Sequence, residues 1–129
     1  MDHVILIVDD DKLVVDTLKK RFDNWGMIVY TANTAVEAKS VLDKVTPEVV
    51  ILDLILENDE SSQNILNYMK SQDRLRGIPI LVLTNLDQPE MKNLLLSQGV
   101  KEYIVKGTLT LDQIYDKVMS YLEPKNQAG

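Results

Sequence analysis

Val4-Ile5-Leu6-Ile7-Val8-Asp9-Asp10-Asp11 is an apolar run that stops abruptly at three carboxylates. A stretch this rich in β-branched residues, with no polar alternation, is expected of a strand buried on both faces. After the acids the period changes: Leu13 or Val14, then Leu18, Phe22 and Trp25, recur at helical spacing, and Gly26 can end the helix.

The same alternation continues along the chain. Met27 to Ala32 reads as a second strand, and Thr34-Ala35-Val36-Glu37 as a capping box opening a helix with Ala38, Leu42 and Val45 on its apolar stripe. Pro47 closes that helix, and Glu48 to Asp53 is a third strand. A polar loop leads into a helix carrying Ile65, Leu66, Tyr68 and Met69. Pro79 to Thr84 is the fourth strand, and Asp87-Gln88-Pro89-Glu90 reads as an N-cap with an acidic first turn before Met91, Leu94 and Leu95. Of the run Leu94-Leu95-Leu96, at least one side chain is expected to face outward. Val100 to Val105 is the fifth strand, followed by a second capping box, Thr110-Leu111-Asp112-Gln113, and a helix with Ile114, Val118 and Leu122. Strands alternating with helices through short links predict an α/β fold: a doubly wound parallel sheet covered on both faces. Residues 1–122 form that domain, and 123–129 read as a frayed tail.

Composition sets outer limits. The 129 residues are 45% hydrophobic and 26% charged, which is a globular rather than a disordered balance. With no cysteine, thiolate metal sites, iron–sulfur clusters and disulfides are excluded. The net charge is −6 and there are only three arginines, so direct nucleic-acid binding, which needs clustered cations, is not expected. No apolar stretch approaches the roughly 20 residues that span a bilayer. A cytoplasmic location is expected, and the length leaves no room for a second full-sized domain.

In doubly wound folds ligands sit beyond the carboxyl ends of the strands. There the sequence places Asp9-Asp10-Asp11, Asp53, Thr84 and Lys106. Three carboxylates after the first strand would repel a phosphate, and no glycine-rich phosphate loop is present, so dinucleotide and flavin sites are excluded. Clustered carboxylates instead invite a hard cation, and oxygen donors with room for water suit Mg²⁺. A metal held there could bridge to a phosphoryl oxygen. Asp53 could then act as nucleophile, with Lys106 and Thr84 stabilising the transferring group.

These residues resemble the receiver domains of bacterial two-component response regulators, over essentially the whole chain. The resemblance is carried by Ile5-Leu6-Ile7-Val8-Asp9-Asp10, Val50-Ile51-Leu52-Asp53-Leu54, Pro79-Ile80-Leu81-Val82-Leu83-Thr84 and Tyr103-Ile104-Val105-Lys106, each at a strand end and in order. It implies a flavodoxin-like sheet in the order 2-1-3-4-5, of the stand-alone, single-domain type. It implies that Asp53 accepts a phosphoryl group from a sensor histidine kinase or phosphotransfer protein. Asp9 and Asp10 form the acidic pair, and Asp10, Asp53 and the backbone carbonyl of Ile55 hold Mg²⁺. Thr84 and Tyr103 form a switch pair, with Lys106 as the partner lysine. The module is a signalling switch rather than an enzyme. An effector protein would dock on the face of the fourth helix, fifth strand and fifth helix, and the chain would be a monomer or a phosphorylation-dependent dimer.

Three departures from the family pattern bear on the chemistry. Leu54 to Ser61 carries Glu57 where a proline is usual and Ser61 where a glycine is usual. Asn85 replaces a very small residue after Thr84, and Ile55 and Leu86, both apolar, cannot position a hydrolytic water, so slow loss of the phosphoryl group is expected. Gly107 replaces a proline that often follows a cis bond. Since a cis bond before a non-proline costs about 2.5–4 kcal/mol, a trans bond with a rearranged loop and a strained cis bond are the two alternatives.

Blander readings stand beside these. Asp9 and Asp10 could cap the first helix, as Asp11 is expected to do. Lys106 could be solvated, Tyr103 could be sheet packing, and His3 an exposed strand-start residue. A pseudo-receiver acting as a constitutive protein-binding module is the alternative function. An aspartyl phosphatase would need a second acid two residues after Asp53, where Ile55 stands.

Overall fold

The computed structural model describes residues 3–54 and 62–122. Five strands, β1 (Val4–Val8), β2 (Ile28–Ala32), β3 (Val49–Leu52), β4 (Ile80–Thr84) and β5 (Glu102–Val105), alternate with five helices. The helices are α1 (Lys12–Asn24), α2 (Ala35–Lys44), α3 (Ser62–Ser71), α4 (Pro89–Ser97) and α5 (Leu111–Leu122). All strand pairs are parallel, in the order β2-β1-β3-β4-β5. This is the doubly wound α/β fold expected from the sequence.

The unbroken apolar strands are explained by the two cores they divide. Leu6, Val8, Val50, Leu52 and Val82 point into one core, with Ala38, Leu42, Ile65, Leu66, Met69 and Leu95 from α2, α3 and α4. Ile5, Ile7, Val49, Ile51, Leu81 and Leu83 point into the other, with Leu18 and Phe22 of α1 and Ile114, Val118 and Leu122 of α5. Successive residues of a strand face opposite ways, so each must be apolar.

The Thr110 capping box forms completely and the Thr34 box in half. Thr34 Oγ1 accepts from the Glu37 backbone N–H at 3.1 Å, while the Glu37 carboxylate reaches back to the N–H of Asn33 rather than Thr34. Thr110 and Gln113 bond reciprocally at 3.1 and 2.9 Å. Asp11 caps α1, as expected.

Several local expectations are corrected. The buried stripe of α1 is Val15, Leu18 and Phe22; Val14 is only partly buried and Leu13 is 75% exposed. The cap at Asp11 sets the phase of the helix and so selects Val15 from three consecutive apolar residues. Trp25 falls at the C-cap, where Gly26 (φ +77°) turns the chain away, and it is exposed. Val45 is likewise a C-cap residue, beyond α2. Asp87 does not cap α4: Gln88 holds that position without a side-chain bond, and Pro89 occupies the first turn, where no N–H is needed. On α4 both Leu94 and Leu96 face outward and Leu95 is buried. His3 is half-buried, its Nδ1 2.7 Å from Glu48 Oε2 at the end of the sheet opposite the acids.

Candidate functional site

The sheet itself sets the site. Asp9, Asp53 and Lys106 each stand one residue past a strand, and each is held by one further rung of the ladder. Asp9 N–H donates to Ala32 O (3.0 Å), Asp53 N–H to Val8 O (2.8 Å) and Lys106 N–H to Thr84 O (2.7 Å). Parallel strands of one sheet, β1 and β3 side by side and β5 beyond β4, therefore deliver the three side chains to one edge with little backbone freedom.

There the Lys106 ammonium lies among the acids. Its Nζ is 3.0 Å from Asp9 Oδ2, 3.2 Å from Asp53 Oδ2 and 3.7 Å from Asp11 Oδ2. Asp9 is 1% exposed and Asp53 4%, whereas Asp10 is exposed at the rim. Asp9, Asp10 and Asp53 each offer an oxygen within 4.8 Å of the others. Burial pushes the Asp9 carboxyl up to about 6, and the Asp53 charge adds to the rise, against the pull of the Asp11 N–H and of Lys106. Burial alone would lower the Lys106 ammonium, but hydrogen bonding to Asp9 and the charges of Asp53 and Asp9 outweigh it and hold it above the usual lysine value.

Both hydrogen bonds to Asp9 go to Oδ1, from the Asp11 N–H at 2.8 Å and from Lys106 at 3.2 Å. Oδ2 is buried beside the ammonium but out of line with a donor, and no hydrogen-bond partner meets it among the described residues. A buried carboxylate oxygen in that state, within reach of two further carboxylates, fits a small hard cation.

Thr84 is fully buried at the end of β4, its Oγ1 accepting from the Leu86 N–H at 3.3 Å. Half-buried Tyr103 sends its hydroxyl to Leu86 O at 2.6 Å, so the threonine and the tyrosine meet the same residue of the β4–α4 loop. Ile55, Glu57 and Ser61 lie outside the described residues, as does the 123–129 tail. Sequence reasoning placed Asp11 at this edge mainly as a cap and missed one participant altogether. Asp11 faces Lys106 in addition to capping α1. Ser62, buried at the start of α3, donates through Oγ to Asp53 O at 2.5 Å. A serine opening a helix is the signal it left, although that residue normally caps its own helix. The Lys106–Gly107 peptide is trans, and Gly107 has φ +91°.

At the carboxyl edge of this doubly wound sheet, an acidic cluster that could hold a metal ion stands beside one lysine ammonium. The family profile of the response regulator receiver domain matches residues 5–119, and the chain belongs to that family. Receiver domains are signalling modules of two-component systems, working with histidine kinases and effectors, rather than enzymes in the ordinary sense. The transcriptional regulatory protein PhoP of Escherichia coli K12 is 33% identical over 102 residues, covering 79% of this chain and 44% of that protein. The probable transcriptional regulatory protein TcrX of Mycobacterium tuberculosis is 29% identical over 104 residues, covering 79% of this chain and 42% of that protein. The chain thus spans less than half the length of these relatives. Among solved structures, a two-component response regulator from Clostridium difficile superposes with a TM-score of 0.85 at 24% identity, over 98% of this chain and 100% of that one. A CheY-like receiver domain protein from Methanospirillum hungatei JF-1 gives 0.85 at 22% identity, with both chains fully covered. At that identity the two share the fold. Among the described residues no helix is long and apolar enough to cross a membrane.

Proposed function

We propose that this receiver is a phosphorylation-dependent switch in which Asp53 is the phosphoacceptor. The observation that carries the reading is the Lys106 ammonium lying 3.0–3.2 Å from both Asp9 and Asp53 at the carboxyl edge of the sheet. An Asp53 oxygen attacks the phosphorus of a phosphohistidine or of acetyl phosphate. A P–O bond to Asp53 forms, the bond to the leaving group breaks, and that group departs with its electron pair. Lys106 stabilises the charge on the transferring group, and the Thr84 hydroxyl is placed at the same strand edge to donate to a phosphoryl oxygen.

Asp9, Asp10 and Asp53, with the Ile55 carbonyl from outside the described residues, are the oxygens that would hold Mg²⁺. Bound there, the ion supplies positive charge for the phosphoryl oxygens. Thr84 and Tyr103 relay the state of Asp53: movement of the threonine hydroxyl toward a phosphoryl group would release Leu86 N–H, and Tyr103 is tied to the carbonyl of that same residue. The effector is proposed to read the face of α4, β5 and α5, on which Tyr103 lies.

Acetyl phosphate with Mg²⁺ should label the protein, and Asp53→Asn should take no label. A protein that never labels would instead be a constitutive binding module. The label should also be lost slowly for a receiver. Leu86, partly buried and apolar two residues past Thr84, cannot orient water, and Asn85 stands beside it. A phosphate-release time course reads this, and a lifetime of seconds would count against it.

A further inference from the structure

The β5–α5 connection is built as a turn around glycine. Thr108 N–H donates to Val105 O at 3.1 Å, closing four residues with Lys106 second and Gly107 third. Thr108 Oγ1 reinforces the closure, donating to the same carbonyl at 2.6 Å. A type II turn demands positive φ at its third residue, and Gly107 supplies +91°. Lys106 is thereby fixed from both sides, by its N–H on Thr84 O and by the turn that follows it. A Cβ added at Gly107 would meet nothing within 4 Å. Whatever Gly107 contributes therefore comes through its backbone conformation and not through packing.

We propose that Gly107 is a positioning residue for Lys106: its left-handed conformation closes the turn that aims the ammonium between Asp9 and Asp53. The kinetic form of this proposal rests on Asp53 being the phosphoacceptor. Because space beside Gly107 is open, side-chain size and backbone tolerance separate cleanly. Asparagine enters the left-handed region with little difficulty, and valine does not.

The test is a cycle of four proteins, wild type, Gly107→Val, Lys106→Met and the double variant, with Gly107→Asn as the conservative control. Each is labelled with acetyl phosphate and Mg²⁺. A displacement of a reacting group by about 1 Å can cost on the order of 100-fold, and a partial loss of aim is expected to slow Gly107→Val by roughly tenfold. Gly107→Asn should stay within about threefold of wild type, and Gly107→Val should have almost no effect once Lys106 is already methionine. Equal slowing in both backgrounds, or none in either, overturns the proposal.

Urea unfolding of the same four proteins reads the aim without any phosphoryl chemistry, so failure of the Asp53 reading leaves it decidable. Gly107→Val should lower the midpoint further in the parent than in the Lys106→Met background, since only the parent has ion pairs to lose. Equal shifts would mean that Lys106 is held by its acids alone, and would overturn the proposal.

Discussion

Lys106→Met is expected to slow phosphoryl uptake from acetyl phosphate by on the order of 100-fold, the usual effect of removing one charge-stabilising donor from a transfer site. It should also destabilise the protein at neutral pH. The substitution leaves Asp9 and Asp53, both nearly inaccessible, without the ammonium that lies between them. Breaking a buried pair by removing one partner costs about 3–5 kcal/mol, and the open rim at Asp10 reduces this to roughly 1–3. The sign of the pH dependence follows from the raised Lys106 value. Its contribution is complete below the ordinary lysine range and is lost only as the pH rises through the folded-state value in alkali. The deficit of the variant should therefore be largest near neutrality and shrink in acid, where the carboxylates take up protons. Urea midpoints between pH 4 and 9 measure it, and a variant as stable as wild type at pH 7 would refute the pairing.

Asp9→Asn should act in the opposite direction on stability. Asparagine keeps the oxygen that accepts from Asp11 and Lys106 and removes the charge that burial penalises, at the cost of setting an amide nitrogen where Oδ2 stands 3.0 Å from the Lys106 ammonium. The wild-type Asp9 carboxyl lies at about 6 in the folded protein against 3.8 for the free group. Between those values the folded state keeps a proton that the unfolded chain has lost. Its contribution is full below about pH 4 and is lost as the pH rises through about 6, a swing on the order of 3 kcal/mol. Metal-free Asp9→Asn should thus be more stable than wild type at pH 7–8 and lose that advantage near pH 4. Mg²⁺ should raise the melting temperature of wild type and have much less effect on the variant. Lower stability of the variant at pH 8 would contradict this account of the site.

The central strands β1, β3 and β4 were legible because burial on both faces leaves almost no polar residue inside them, whereas the edge strands β2 and β5, with Thr31 and Glu102, carried a weaker signal. The site was legible for a related reason: in a parallel sheet every strand ends at the same edge, so Asp9, Asp53, Thr84 and Lys106 could be brought together by counting. What escaped depended on choices between equivalent options. Leu13, Val14 and Val15 are three apolar candidates for one stripe, and only the cap at Asp11 selects the last. Asp87 and Gln88 both precede Pro89, and an aspartate suits a cap better than the glutamine found there. Gly107 permitted a cis or a trans bond before it, and the sequence around it did not choose between them; the bond is trans. His3 and Glu48 are 45 residues apart and carry no shared motif. The partnership of Ser62 with the Asp53 carbonyl crosses a segment whose sequence has no period.

That last bond bears on how such a domain can diversify. Ser62 fastens the start of α3 to the backbone of Asp53, so residues 55–61 leave and return at points fixed by the sheet and by a buried hydroxyl. Doubling the length of a loop anchored at both ends adds only about 0.6 kcal/mol of closure entropy. The intervening residues can therefore vary in charge and length at little energetic cost while Asp53 stays where it is. Glu57 and Ser61, at positions where a receiver usually carries proline and glycine, fall in the stretch to which that latitude applies.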